Sequence, residues 1–97
     1  DAAAGVDCAR VKEALAGGSA ASRVLDVMGE RMVRRNFAAG IEARLHHKDF
    51  GLVREAARQC GMPVPLAAVV DQQLNVLMAQ GWGADDTASL LRVLELL

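Results

Sequence analysis

Ninety-seven residues, 53% of them hydrophobic but with one Trp, two Phe and no Tyr, bound this chain to a single small domain. Eighteen alanines favour close helix–helix contact over a core of large side chains. The net charge of −1 implies neither nucleic acid nor an acidic membrane surface, and no apolar run approaches the ~20 residues that cross a bilayer.

Residues 2–5, AAAG, read as the last turn of a helix closed by Gly5. Asp7 then caps a short helix near 8–16, with Cys8, Val11 and Leu15 on one face and Gly17-Gly18 ending it. A helical run over about 20–34 buries Val24 or Leu25, Met28 and Met32, and Gly29 inside it marks a candidate break. Asn36 to Gly40 is a loop.

The longest helix spans 41–60 and is closed by Gly61. Ile41, Leu45, Leu52, Ala56 and Cys60 recur at helical spacing and make one inward stripe. Pro65 suits the first turn of the next helix, which runs to about Gln80 with Leu66, Val70, Leu74 and Leu77 inward and stops at Gly81. GWGADD is a turn. Asp85 or Asp86 caps a final helix whose stripe is Leu90, Leu91, Leu94 and Leu97. No segment alternates like a strand. The fold class is therefore all-α, a compact array of about five to six helices.

Lys48 breaks the pattern. It lies three residues after Leu45 and four before Leu52, on the apolar stripe. A charged amine there is costly unless something pairs with it. Either it snorkels outward between helices, or it reaches a phosphate or polarised cofactor group at a cleft edge, with Asp49 holding the helix or the amine in place.

Other candidates point to solvent or structure. His46 and His47 project about 100° apart on a helix and cannot share a metal; Glu42 with His46 offers only two ligands. Arg31, Arg34 and Arg35, with Arg23 upstream, lack interleaved aromatics and read as a solvated face rather than a nucleic-acid patch. Gly81-Trp82-Gly83 has no third glycine at position 86 and no preceding strand, so a Rossmann dinucleotide site is excluded within this chain. No nucleophile elbow or Cys–His pair with a base is present. Cys8 and Cys60 fall on apolar faces and read as reduced core thiols. With no signal-peptide pattern, the expected compartment is the cytoplasm. The first residue is not Met and Leu97 closes an apolar run without a cap, so both ends read as cuts in a larger protein.

From Gly29 the string GERMVRRNFAAGIEARLHHKDFGLVREAARQCGMPVPLAAVVDQQLNVLMAQGWGADDTASLLRVLE resembles the C-terminal helical domain of the β-hydroxyacid dehydrogenases. These include 3-hydroxyisobutyrate dehydrogenase, tartronate semialdehyde reductase and the glyoxylate/succinic semialdehyde reductases, and are related to 6-phosphogluconate dehydrogenase. The features that match are, in order, Asn36-Phe37 with Gly40, the pair Lys48-Asp49, Gly61 with Pro63, Pro65 and Leu66, and Gly81, Gly83 and Asp86. Upstream, Gly17 to Leu25 is also similar. The order and spacing together are specific, although no single motif is.

The resemblance implies a two-domain enzyme in which a Rossmann domain precedes this helical domain. Such enzymes oxidise or reduce a small hydroxy acid or its semialdehyde with NAD or NADP. It implies that Lys48 contacts the cofactor near its nicotinamide end, that Asp49 supports the same cleft, and that the stripe meets the other domain. It places the catalytic lysine upstream of Asp1, leaving no catalytic residue and no metal ligand in this chain. It implies a wall of the substrate cleft and a dimer interface over 1–97.

Two departures stand out. The family's Pro-Gly-Phe is Ala39-Gly40-Ile41 here, so an aliphatic replaces the cleft aromatic at Ile41. The family's aromatic-Ser-Ala after Asp86 is Thr87-Ala88-Ser89, so no serine role carries over. The competing reading is a stand-alone helical module that binds a partner helix without catalysis.

Overall fold

The structure, a computed structural model, describes residues 4–96. Residues 2 and 3 of the expected N-terminal turn, and Leu97 of the final stripe, lie outside the described residues. The elements are α1 (Cys8–Ala16), α2 (Arg23–Arg34), α3 (Ala43–Cys60), α4 (Pro65–Ala79), a 3-10 turn (Thr87–Ser89) and α5 (Leu90–Glu95). Among the described residues the only β pairing is a single bridge between Glu42 and Asp86. The chain forms two compact units, residues 1–37 and 38–97.

The first unit is a helical hairpin. Asp7 caps α1 by accepting from the Ala9 N–H at 2.9 Å, and Ser22 caps α2 by accepting from the Leu25 N–H at 2.9 Å. The helix α2 runs unbroken through Gly29. A Cβ there would lie 3.3 Å from Leu25 Cδ1 and 3.4 Å from the Lys12 stem, so glycine serves close approach of α1 and not a break. Lys12 also pairs with Glu30 at 3.4 Å. Leu25, Met28 and Met32 are half-buried as expected, whereas Val24 faces solvent.

The second unit is built on α3 and α4. Gly61 ends α3 in the left-handed region at φ 68, which a side chain tolerates poorly. Pro65 opens α4, where its missing N–H costs nothing. Arg54 meets Asp71 and His47 meets Asn75. One index rises as the other falls, so the two helices run antiparallel. The core is Ala43, Leu77 and Val93 with Trp82 and Leu90 packed on it. Leu74 is also fully buried, and Leu74 and Leu77 each contribute about 1.5–3 kcal/mol by leaving water.

The face of α3 turned to α4 carries Ala43, His46, His47, Phe50 and Ala57. The expected inward stripe lies opposite: Ile41, Leu45, Leu52, Ala56 and Cys60 are all exposed. The reason is that small Ala43 and Ala57 let α4 approach on a side where His47 and Arg54 also find polar partners on α4, in Asn75 and Asp71. Ile41 and Glu42 also precede the helix, which begins at Ala43. In α4, Leu66 is 83% exposed while Asp71 is buried. In α5 the buried residue is Val93, and Leu94 is exposed. Cys8 and Cys60 are free thiols as expected, but exposed rather than in a core. Asp86 caps the 3-10 turn, through the Ala88 N–H at 2.9 Å, and not α5 itself.

Candidate functional site

The turn after α4 is shaped by its glycines. Gly81 takes φ 82, and a Cβ on Gly83 would meet Met78 Sδ at 2.8 Å and lie 3.6 Å from Arg44 Cβ. The turn can therefore lie against both helices. Its backbone then serves the start of α3: the Ala43 N–H donates to Asp85 O at 2.8 Å and the Arg44 N–H to Gly83 O at 2.9 Å. Glu42 makes no side-chain cap, so these carbonyls do that work. The first two amides of α3 are thus spent internally and are not available to a phosphate.

Asp86, 3% exposed, reaches across the same junction. Its Oδ1 accepts from the Gly40 N–H at 3.0 Å and the Ile41 N–H at 3.2 Å, while Oδ2 accepts from Ala88. His46 Nδ1 and Thr87 Oγ1 share a hydrogen bond of 2.5 Å, and His47 Nε2 donates to Asn75 Oδ1 at 2.6 Å. Both histidines are therefore structural links between elements. Arg92 closes the other flank of the turn, donating to Asp85 Oδ2 at 2.6 Å and to Ser89 Oγ at 2.7 Å with its guanidinium 4.2 Å from the Trp82 ring centroid.

Lys48 is on the outer side of α3. At 100° per residue it lies about 200° from Phe50, on the side away from α4. Its side chain is 65% exposed, and its ammonium is 3.9 Å from Asp49 Oδ1, a loose contact between two exposed groups. Leu45 and Leu52 flank it on the same exposed row, and Ile41 stands half-exposed just before the helix. The ammonium thus has only a weak partner and stands in solvent between two exposed apolar side chains.

Of the residues singled out in the sequence, Lys48 and Asp49 are adjacent and share that exposed face, while Ile41 is tied to the turn through its backbone. The links made by His46, Asp71 and Asp86 were not anticipated as such. Asp71 had a readable signal, being the single charge within apolar α4. Among the described residues no group of His, Cys, Asp or Glu is placed to hold a metal, and no helix is long and apolar enough to cross a membrane.

Residues 2–94 match the family model described as NAD-binding of NADP-dependent 3-hydroxyisobutyrate dehydrogenase. The chain belongs to the β-hydroxyacid dehydrogenase family. It is 39% identical over 94 residues to the 2-hydroxy-3-oxopropionate reductase of Escherichia coli K12, covering 97% of this chain and 32% of that protein. It is 29% identical over 86 residues to the 2-(hydroxymethyl)glutarate dehydrogenase of Eubacterium barkeri, covering 88% of this chain and 29% of that protein. The crystal structure of 3-hydroxyisobutyrate dehydrogenase from Salmonella typhimurium shares the fold with a TM-score of 0.91 at 20% identity, over 95% of this chain and 32% of that one. The chain thus spans about a third of the length of these family members. The all-α architecture is that of the helical domain in such an enzyme.

Proposed function

We propose that this chain is the C-terminal helical domain of an NAD(P)-dependent oxidoreductase acting on a small hydroxy acid or semialdehyde. A Rossmann domain holds most of the cofactor, and residues 1–97 supply one wall of the substrate cleft and a dimer face. The enzyme works in the cytoplasm with a second copy of itself as partner and without nucleic acid. The observation that carries the reading is the exposed row Leu45, Lys48, Leu52 on α3: a cation between apolar side chains, on the side opposite α4.

The residues fit a nicotinamide cofactor in a limited way. The nicotinamide, when bound, supplies the hydride chemistry. Lys48 brings positive charge to the cleft edge, where it orients the carboxamide end or a negatively polarised oxygen. Asp49 limits the swing of the ammonium from its neighbouring position. Leu45 and Leu52 border the charge with exposed apolar surface that would be covered when the other domain closes over this face. Ile41 contributes an aliphatic surface to the substrate side. The acid–base group belongs to the helix that joins the two domains, so the chain alone is inactive.

Lys48→Ala in the intact enzyme tests the reading, assayed with 2-hydroxy-3-oxopropionate, the substrate in the name of the Escherichia coli relative. The expected result is a cofactor KM raised, or a kcat lowered, by at least about tenfold, the loss of one charge-assisted contact. Unchanged kinetics would remove the role of Lys48.

A further inference from the structure

Ile41 is fixed at both of its backbone polar atoms by the turn that follows α4. Its N–H donates to Asp86 Oδ1 at 3.2 Å, and its carbonyl accepts from the Thr87 N–H at 3.3 Å. Gly40 adds a second N–H to the same Oδ1 at 3.0 Å. The side chain of Ile41 remains free of this clamp, and the residue is 49% exposed.

Capping of the 3-10 turn by itself accounts for only half of the Asp86 carboxylate. Oδ2 serves the cap through Ala88. Oδ1 is committed to two consecutive amides 46 and 45 residues away in the chain. A buried carboxylate meets three N–H groups without needing a donor of its own, and bonds to a charged acceptor are about twice as strong as neutral ones. An asparagine in its place keeps one oxygen but turns an NH2 toward a backbone N–H. Two adjacent amides aimed at one oxygen also set the direction in which the chain passes from Gly40 into Glu42, and hence the direction of the Ile41 side chain.

We propose that Asp86 is a positioning residue for the substrate pocket, acting through Ile41 and not by touching substrate. The inference rests on the reading above, in which Ile41 lines the substrate side. The same clamp is continuous with the start of α3, because Ala43 donates to Asp85 O in the next register position. The effect nevertheless falls on substrate rather than cofactor, since Lys48 is held by the helix α3 itself.

The test is a double-mutant cycle of Asp86→Asn and Ile41→Ala in the intact enzyme, in the assay given above. Asp86→Asn is expected to raise the substrate KM about tenfold, the scale of a small misplacement of a cleft residue, with the cofactor KM within about twofold. In the Ile41→Ala background the same change is expected to move the substrate KM by less than about twofold. A merely structural Asp86 would shift both constants, or add its effect independently of Ile41, and either result overturns the inference. If Ile41→Ala alone is kinetically silent, the reading of the cleft fails and this inference with it; if Ile41→Ala is active while Asp86→Asn is silent or additive, this inference alone fails. Should Asp86→Asn not fold, hydrogen exchange of the wild-type enzyme decides. The amides of Gly40 and Ile41 must exchange at least about tenfold more slowly than that of Ala39, and equal rates overturn the clamp.

Discussion

Arg54 Nη1 lies 2.5 Å from Asp71 Oδ2, joining the middle of α3 to the middle of α4 across a carboxylate that is almost wholly buried. The arginine keeps a solvent-facing side, with 44% of its side chain exposed. The pair is therefore asymmetric: removing the arginine strands a charge in the interior, while removing the acid leaves a cation that can turn to water.

Arg54→Ala is accordingly expected to destabilise the second unit by about 2 kcal/mol, and Asp71→Ala by less. Replacing both by apolar residues, Arg54→Met with Asp71→Leu, should recover most of the loss. Urea midpoints of the four proteins measure this, and equal costs for the two single changes would contradict the asymmetry.

Two glycines in or at the end of α3 should respond in opposite senses to alanine. Gly61 adopts φ 68 with open space around its missing Cβ, so Gly61→Ala costs about 1 kcal/mol through the backbone alone. Gly51 is inside the helix with nothing within 4 Å of a Cβ, so Gly51→Ala should stabilise by about 0.5–1 kcal/mol. Thermal unfolding of the two variants reads the signs directly.

Glu30 should titrate below its ordinary value near 4.5 because hydrogen bonding from Arg34, and then from Lys12, favours the ionised carboxyl. A folded-state pKa below the unfolded one adds stability at pH above about 4.5, and that stability is lost as pH falls through the folded midpoint. Carboxyl carbon shifts of Glu30 followed by NMR should show Arg34→Ala raising the midpoint more than Lys12→Ala. The reverse order would reassign the main partner.

Cys8 and Cys60 are both free and exposed, so a thiol reagent should modify two groups per 97-residue chain without denaturant. Detection of none before unfolding would restore the core placement that their apolar neighbours suggest.

Much of the helical outline was readable because its signals are local. Asp7 and Gly17 bracket α1, Gly61 and Pro65 bracket the α3–α4 connection, and each acts through residues within a turn of itself. The order of motifs around Lys48-Asp49 likewise carried the family, since it is a property of the chain and not of its packing.

The side of α3 that is buried was not readable. Hydrophobic periodicity favours the more uniformly apolar row of Leu45, Leu52, Ala56 and Cys60, whereas the buried face mixes Ala43, Phe50 and Ala57 with His46, His47 and Arg54. What decided the matter was how closely α4 could approach Ala43 and Ala57, together with polar links from His46 to Thr87, His47 to Asn75 and Arg54 to Asp71.

By itself, then, the amino-acid order determined where helices begin and end, the all-α class and the family. Only the tertiary structure decided that Lys48 stands on the open side of its helix and that Asp86 grips Gly40 and Ile41. Caps and breakers work over a few residues, so they are written in the local sequence. Hydrogen bonds between residues more than forty positions apart depend on the path of the whole chain, and no short-range pattern encodes them.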